Sequence, residues 1–153
     1  MIRVEPASEE DLPRIMEIER GSISPPWSEG SLLSELYNED SYFAVAAAAG
    51  GAGDQAPVII GFIILRRAAD EGELLQIAVD EPYRRLGAAD ALIRAAVAWA
   101  AGLGLGSIYL ELRASNGAAA QLYKKHGFTR SGRRKGYYTD PDEDALLYKR
   151  EFF

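Results

Sequence analysis

The sequence contains no cysteine and only one histidine among its 153 residues. The lack of cysteine excludes disulfides, thiolate metal ligands and a cysteine nucleophile, and it leaves the redox compartment undetermined. Hydrophobic residues make up 48% of the chain and charged residues 26%, which is typical of a globular protein with its own core. We therefore expect no bound metal and no covalent cross-link.

Basic residues are also scarce, since 17 lysines and arginines stand against 23 aspartates and glutamates, for a formal net charge of −6. A nucleic-acid-binding protein normally carries a basic face, so this balance argues against nucleic acid as a partner. The local exception is a short basic cluster that consists of Arg130, Arg133, Arg134 and Lys135. We interpret this cluster as a solvated rim, because charge runs usually lie on the surface.

Long apolar runs are missing as well. Residues 1–11 contain Glu5, Glu9, Glu10 and Asp11, and no apolar segment there is as long as a signal peptide or a membrane span requires. We expect a cytoplasmic protein without a membrane partner. No repeat or linker divides the chain, so residues 1–153 are expected to form one domain.

The hydrophobic pattern predicts an α/β (α+β) fold, in which helices cover both faces of a mixed sheet of seven strands. The predicted strands are Ile2–Pro6, 42–48, 58–65, 74–79, 107–112, 128–138 and 145–152. The predicted helices begin near Ser8 and Ser28 and span 88–101 and 116–125. Glycines at 49–55 predict a hairpin loop, and those at 102–106 predict the end of a helix.

The most informative segment is 74–89, which reads as a strand, a turn and the start of a helix. Pro82 ends the apolar run, and Gly87 with the two alanines after it lets backbone N–H groups converge on an anion at the first helical turn. Arg84 and Arg85 add positive charge beside these donors. The alternative is an ordinary strand-to-helix turn with basic surface residues.

The spacing Arg84-x-x-Gly87-x-Ala89 resembles the pyrophosphate loop of the GNAT N-acetyltransferases, which bind acyl-coenzyme A. Further blocks resemble the RimI-like branch of that family, the ribosomal-protein-alanine N-acetyltransferases. These blocks are Pro26-Trp27-Ser28, Leu-Glu-Leu-Arg-Ala-Ser-Asn at 110–116, Leu-Tyr-x-x-x-Gly-Phe at 122–128, Tyr137-Tyr138 and Glu143-Asp144-Ala145. They follow the family's order over nearly the whole chain.

The resemblance implies the GNAT fold, with two central parallel strands that splay apart, and acetyl-CoA as the co-substrate. It assigns cofactor contacts to Ile77, Ala78, Val79, Arg84, Arg85, Leu86, Gly87, Ala88, Ala89, Asn116 and Tyr123. In this scheme the backbone amides at 77–79 face the acetyl carbonyl and those at 86–89 hold the pyrophosphate. Asn116 has a second interpretation, as the N-cap of the helix that follows it.

The implied chemistry is attack by a terminal amine on the acetyl thioester. The resemblance assigns the role of general base to Glu111 and the role of general acid to Tyr123. Strand alternation puts Glu111 on the same face as Arg113, so an ion pair with that or another cation is the alternative. For Tyr123 the alternative is packing against Phe128.

The resemblance also places the acceptor. It assigns substrate binding to Trp27, Glu111, Tyr137 and Tyr138, while Trp27 could equally fill the core. The expected acceptor is the N-terminal α-amine of a protein or peptide, with the N-terminal alanine of a ribosomal protein favoured. A small-molecule amine or lysine acetyltransferase, or a non-catalytic acyl-CoA-binding module, are the other hypotheses. The oligomeric state is left open.

Three positions depart from the family pattern, namely Pro25, Asp90 and Gly136, where an aromatic residue, a basic residue and an asparagine are usual. A carboxylate at Asp90 suits the helix dipole but would repel a phosphate, so we expect it to point away from the cleft. The lone His126 precedes Gly127 at a helix end, where we expect it to cap carbonyl groups rather than act as a base.

Overall fold

The computed structural model describes residues 1–49 and 56–152. Its strands are β1 (Ile2–Pro6), β2 (Ser41–Ala48), β3 (Val58–Ala68), β4 (Glu71–Val79), β5 (Ser107–Arg113), β6 (Thr129–Tyr138) and β7 (Glu143–Glu151). Its α-helices are α1 (Leu12–Ser22), α2 (Glu29–Leu36), α3 (Ala88–Gly102) and α4 (Gly117–Lys125). The predicted order of strands and helices is confirmed, whereas most of the loop predicted at 49–55 lies outside the described residues.

Two short 3₁₀ turns, Glu9–Asp11 and Glu81–Tyr83, were absent from the predicted elements. The second lies directly between β4 and the turn that precedes α3. Pro82 has no backbone N–H and so ends the β4 ladder, but its fixed φ also suits the first turn of a helix. The chain therefore makes a compact helical turn here rather than an irregular loop.

The seven strands form one sheet in the order β1-β2-β3-β4-β5-β7-β6. All neighbouring strands are antiparallel except β4 and β5, which are parallel. Strand β7 lies between β5 and β6, so the crossover through α4 passes over one strand. This arrangement confirms the predicted mixed sheet and puts its one parallel pair near the middle.

Helices cover both faces of the sheet, as predicted. On one face α3 buries Leu92 and Ile93 in a cluster that includes Leu110 of β5. On the other face α1 and α2 bury Ile15 and Leu32 against the central strands. Each such side chain contributes roughly 1.5–3 kcal/mol when it leaves water. The two packed layers therefore hold β4 and β5 rigidly at the centre of the domain.

Strands β4 and β5 pair only at their beginnings, where Glu71–Glu73 lie beside Ser107–Tyr109. Beyond these residues no further β4–β5 pair follows in the described chain, which confirms the predicted splay. On the other side of β4, the register with β3 shifts so that Leu75 is the extra residue of a β-bulge. The edge of β4 from 74 to 79 therefore has backbone groups that β5 does not pair.

Helix α3 is the longest helix, with 15 residues. Within residues 1–49 and 56–152, every helix is too short or too polar to cross a membrane. The cytoplasmic location stays a prediction.

Candidate active site

A cavity of about 490 Å³ opens between β4, the start of α3 and one face of α4. This volume lies within the range of small-molecule sites. Its lining consists of Ile77, Ala78, Val79, Arg84, Arg85, Gly87, Ala88, Ala89, Asp90, Ala118, Ala119, Leu122 and Tyr123. The end of β4 forms the floor, and the β4–β5 splay leads into it.

The turn before α3 presents several backbone donors to this cavity. Gly87 is the N-cap of α3 and has φ of 90°, a left-handed conformation in which glycine costs least. The first intrahelical hydrogen bond runs from the Ala91 N–H to the Gly87 carbonyl (3.0 Å), so the N–H groups of 88–90 precede the helical ladder. Arg85 is also left-handed, with φ of 66°. Successive N–H groups in such a turn form a concave site for an anion.

The same turn is fastened to the end of β4. The Arg84 Nε donates to the Val79 carbonyl at 3.0 Å. One residue further on, the Asp80 carboxylate accepts a hydrogen bond from Arg14 of α1 at 2.6 Å. Arg84 and Arg85 both line the cavity, next to the turn that carries these donors.

Asp90 does not point away from the cleft, so this expectation is wrong. It lines the cavity and accepts from His126 Nε2 (2.7 Å) and Lys125 Nζ (3.0 Å), which lie at the end of α4. The hydrogen bond from His126, followed by Lys125, lowers the pKa of Asp90. The expectation that the His126 side chain caps carbonyl groups is also wrong, because its ring binds this carboxylate. The contact joins the two helices that form the walls of the cavity.

Replacing Asp90 by Asn should lower the free energy of unfolding by about 1 kcal/mol near neutral pH. A depressed pKa means that this contribution is present above the unfolded pKa, near 3.8, and is lost as the pH falls through the folded value. Urea unfolding of both proteins at neutral pH and near pH 2 measures the difference. Lys125→Met is the comparison, and it should cost less because Lys125 is the exposed member of its ion pair with Asp90. Equal stability of Asp90→Asn and the parent protein at neutral pH would contradict the interhelical contact.

Tyr123 lies on α4, and its packing interpretation is confirmed, while its role as general acid stays a prediction. Its ring is buried, 5.6 Å from the ring of Phe128, and it also lines the cavity. Burial raises its pKa strongly, and the nearby Tyr138 adds to the effect. The phenol therefore stays protonated over the whole physiological pH range and can donate a proton.

Glu111 lies on the opposite face of the sheet gap, in a second depression of about 380 Å³ that Tyr109 also lines. Its carboxylate is 3.3 Å from the Arg134 Nη2, so its cation partner is Arg134 and not Arg113. A hydrogen bond to the same carboxylate raises the pKa of Tyr137. Glu111 and Tyr123 therefore do not share one cavity, and they face the gap from two sides.

Tyr138 interacts electrostatically with residues on both sides. Burial raises its pKa, and the negative charge of Glu111 raises it further, while Tyr138 itself acts on the pKa of Tyr123. The Arg113 guanidinium lies 4.6 Å from the centre of the Tyr138 ring.

The hairpin that carries the two tyrosines is held by the acidic residues at the start of β7. Glu143 accepts from the Ser115 N–H at 2.6 Å and from Arg113 at 3.3 Å. Asp144 accepts from the Gly136 N–H at 2.7 Å and from Arg133 at 2.6 Å. These carboxylates tie the start of β7 to the end of β5 and to the end of β6.

The departure at Gly136 fits this geometry. Gly136 has φ of 62°, a left-handed conformation that glycine and asparagine adopt more readily than other residues. The glycine therefore preserves the backbone of the hairpin where the family usually has asparagine.

Trp27 lies in the turn between α1 and α2. It packs against the core beneath α1 and α2, and its backbone N–H donates to the buried Glu19 carboxylate at 2.8 Å. Ser28 caps α2 by accepting from the Ser31 N–H at 3.1 Å, as predicted. The packing interpretation of Trp27 holds, and its contact with a substrate stays a prediction.

Most of the predicted cofactor residues line the first cavity, but two do not. The Leu86 side chain is 61% exposed and lines a separate depression, and the Asn116 side chain caps α4 by accepting from the Ala119 N–H at 3.1 Å. Sequence reasoning missed Asp90, Ala118, Ala119 and Leu122. Three of them could have been found from helical spacing, because residues 118, 119, 122 and 123 share one face of α4.

Comparison with known proteins gives concordant results. A model of the acetyltransferase (GNAT) family matches residues 12–128. The ribosomal protein bS18-alanine N-acetyltransferase of Escherichia coli (strain K12) is 34% identical over 139 residues, which make up 90% of this chain and 88% of that protein. The enzyme of the same name from Haemophilus ducreyi is 32% identical over 147 residues, or 94% and 96% of the two chains. The crystal structure of the Escherichia coli ribosomal-protein-S18-alanine N-acetyltransferase matches with a TM-score of 0.84 at 31% identity, covering 99% of this chain and 94% of that one.

Proposed function

Because the chain belongs to the acetyltransferase (GNAT) family and is an acetyl-CoA-dependent N-acetyltransferase, we propose that it acetylates the N-terminal α-amine of a protein or peptide. The N-terminal alanine of a ribosomal protein is the proposed acceptor. The observation that carries the proposal is the gap between β4 and β5, which opens to a cavity on one face and to Glu111 on the other. A thioester and an amine can therefore approach each other through the sheet.

The residues of the first cavity fit acetyl-CoA, since the Asp90 carboxylate that could repel a phosphate is bound there by His126 and Lys125. The N–H groups at 88–90 and the left-handed Gly87 supply a concave donor site for the pyrophosphate, and Arg84 and Arg85 add charge to it. The free edge of β4 at Ile77–Val79 offers backbone groups to an extended amide-containing arm. When bound, acetyl-CoA supplies the acetyl thioester.

Glu111 acts as the general base. An α-amine has a pKa of about 7.7–8.0, so most of it is protonated at neutral pH and must lose a proton before it can attack. The Glu111 carboxylate takes this proton, and Arg134 with Tyr137 fixes its orientation. The rings of Tyr137 and Tyr138, in edge-to-face contact with centres 5.1 Å apart, would offer an aromatic wall to the acceptor backbone.

Tyr123 acts as the general acid. A thiol with a pKa of roughly 8.5 leaves more readily when a donor gives it a proton, and the buried phenol of Tyr123 is protonated and borders the cofactor cavity. Backbone N–H groups at the free edge of β4 stabilise the charge that develops on the carbonyl oxygen. No metal takes part in this scheme.

The acceptor class can be tested with two matched peptides. A peptide that begins with alanine should be acetylated at its α-amine, whereas the same peptide with a blocked N-terminus and one free lysine should not. Mass spectrometry after incubation with acetyl-CoA measures both reactions. Turnover of the blocked peptide alone would instead favour lysine or small-amine acetylation. Binding of acetyl-CoA by isothermal titration without turnover of any peptide would favour a non-catalytic acyl-CoA-binding module.

A further inference from the structure

Glu19 is a buried carboxyl group whose hydrogen bonds are incomplete. It lies on α1 and is only 1% exposed. Its Oε1 accepts from the Trp27 N–H at 2.8 Å, whereas its Oε2 has no partner. A buried charge without a counter-ion is expensive, and no charged side chain of the described residues contributes to the titration of Glu19.

The neighbouring polar side chain is Gln76 of β4. It is 7% exposed, its side chain acts on the pKa of Glu19, and its own Oε1 also has no partner. An ionised carboxylate and an amide oxygen are both acceptors, so they cannot satisfy each other. One proton on Glu19 supplies a donor for these two unpartnered oxygens.

The position of this pair gives it a consequence for acetyl transfer. Gln76 follows the bulge at Leu75 and directly precedes Ile77–Val79, which line the cofactor cavity. Trp27 ends the turn that is proposed to border the acceptor. A link between the two therefore sets the distance from the acceptor turn to the strand edge.

We propose that Glu19, as a neutral carboxylic acid, is a positioning residue that ties the Trp27 turn to Gln76 on β4. This inference rests on the proposed function in so far as the turn borders the acceptor. Glu19 touches neither reactant, so it acts through Trp27 and Gln76. Burial raises the pKa of Glu19 more than its two hydrogen bonds lower it, in agreement with a neutral group.

The protonation state is tested without any assay of activity. A raised folded pKa means that the native protein holds a proton that the unfolded chain releases above pH 4.5, so stability falls as the pH rises through this window. Glu19→Gln carries no titratable proton and should lack this slope in urea unfolding from pH 4.5 to 8. Glu17→Gln, an exposed change on the same helix, should retain it. Parallel pH profiles of Glu19→Gln and the parent protein would overturn the neutral state.

The positioning role is tested by the Michaelis constant for an alanine-starting peptide. Glu19→Gln preserves an acceptor and a donor and should keep this constant within about 2-fold, whereas Glu19→Ala should raise it about 10-fold. Gln76→Met, which keeps the volume of the side chain but not its polar contact, should behave like Glu19→Ala. It tests the same link if Glu19→Ala does not fold. The dissociation constant for acetyl-CoA should be unchanged in all variants.

Two results would overturn the positioning role, namely a parental Michaelis constant in both Glu19→Ala and Gln76→Met, or a loss in Glu19→Gln as large as in Glu19→Ala. If no peptide is acetylated by the parent protein, the proposed function fails. The inference then still stands or falls on the pH dependence of unfolding, so the two failures are distinguishable.

Discussion

Glu111→Gln should lower kcat by about 10²-fold or more while the dissociation constant for acetyl-CoA stays the same. The amide keeps the size of the side chain but cannot accept the proton of the α-ammonium. Cofactor binding should persist, because Glu111 lies outside the cavity formed by β4, α3 and α4. Steady-state kinetics with an alanine-starting peptide and isothermal titration with acetyl-CoA measure the two quantities.

The pH dependence sharpens this prediction. Above the α-amine pKa of about 8, the acceptor is already largely deprotonated, so the deficit of Glu111→Gln should shrink as the pH rises. Glu151→Gln at the end of β7 is a matched control on the strand next to β5, and its kcat should be unchanged. An unchanged kcat in Glu111→Gln at neutral pH would remove this residue from the mechanism. The ion pair with Arg134 would then be the remaining role of Glu111.

The parts of the fold that depend on local sequence were predictable. Alternation of apolar residues in β5 and the 3.6-residue period of α3 fix which face of each element is buried, and Ser28 and Asn116 mark helix starts through their own side chains. The turn at Gly87 was predictable for the same reason, since the need for a positive φ lies in one residue and its neighbours. These features involve residues only a few positions apart.

The rest of the site depends on pairs that are distant along the chain. Asp90 and His126 are 36 positions apart, and the side chains of Glu111 and Arg134 meet across β7, which lies between β5 and β6. Nothing in the spacing of either residue indicates its partner. The helix-dipole argument correctly explained a carboxylate in the first turn of α3. It did not account for Lys125 and His126, which α4 brings to the same carboxylate. Where a residue has several possible partners along the chain, only the tertiary structure shows which of them it contacts.

Burial of polar groups was the other unpredictable feature. Glu19 follows the apolar residues of α1 and reads as a surface position, yet the Trp27 turn folds over it and the carboxyl is enclosed. Charged residues are rarely buried without a partner, so an expectation based on residue type alone places Glu19 at the surface. The sequence block Pro26-Trp27-Ser28 shows that a turn is present, but it does not show which helical residue the turn covers.

Tyr123→Phe should also lower kcat, by about 10²-fold, because it removes the only proton that this ring can give to the departing sulfur. The packing against Phe128 needs only the ring, so the urea midpoint of unfolding and the affinity for acetyl-CoA should change little. Comparing kcat, unfolding and titration for the two proteins separates the two roles of this residue. A large loss of stability with an unchanged kcat would assign Tyr123 to packing alone.

The pH profile gives an independent criterion for the same variant. Burial raises the pKa of Tyr123 strongly, so the protonated acid persists in the parent protein up to alkaline pH and kcat should show no early decline from its loss. In Tyr123→Phe the thiolate must leave without a proton, and the solvent deuterium isotope effect on kcat should fall.

Tyr137→Phe is a useful comparison, because Tyr137 is 49% exposed and interacts with Glu111 on the proposed acceptor side. Its loss should raise the Michaelis constant for the peptide and leave the isotope effect intact. A reduced isotope effect in Tyr137→Phe, with a normal one in Tyr123→Phe, would move the proton donor to the other side of the gap.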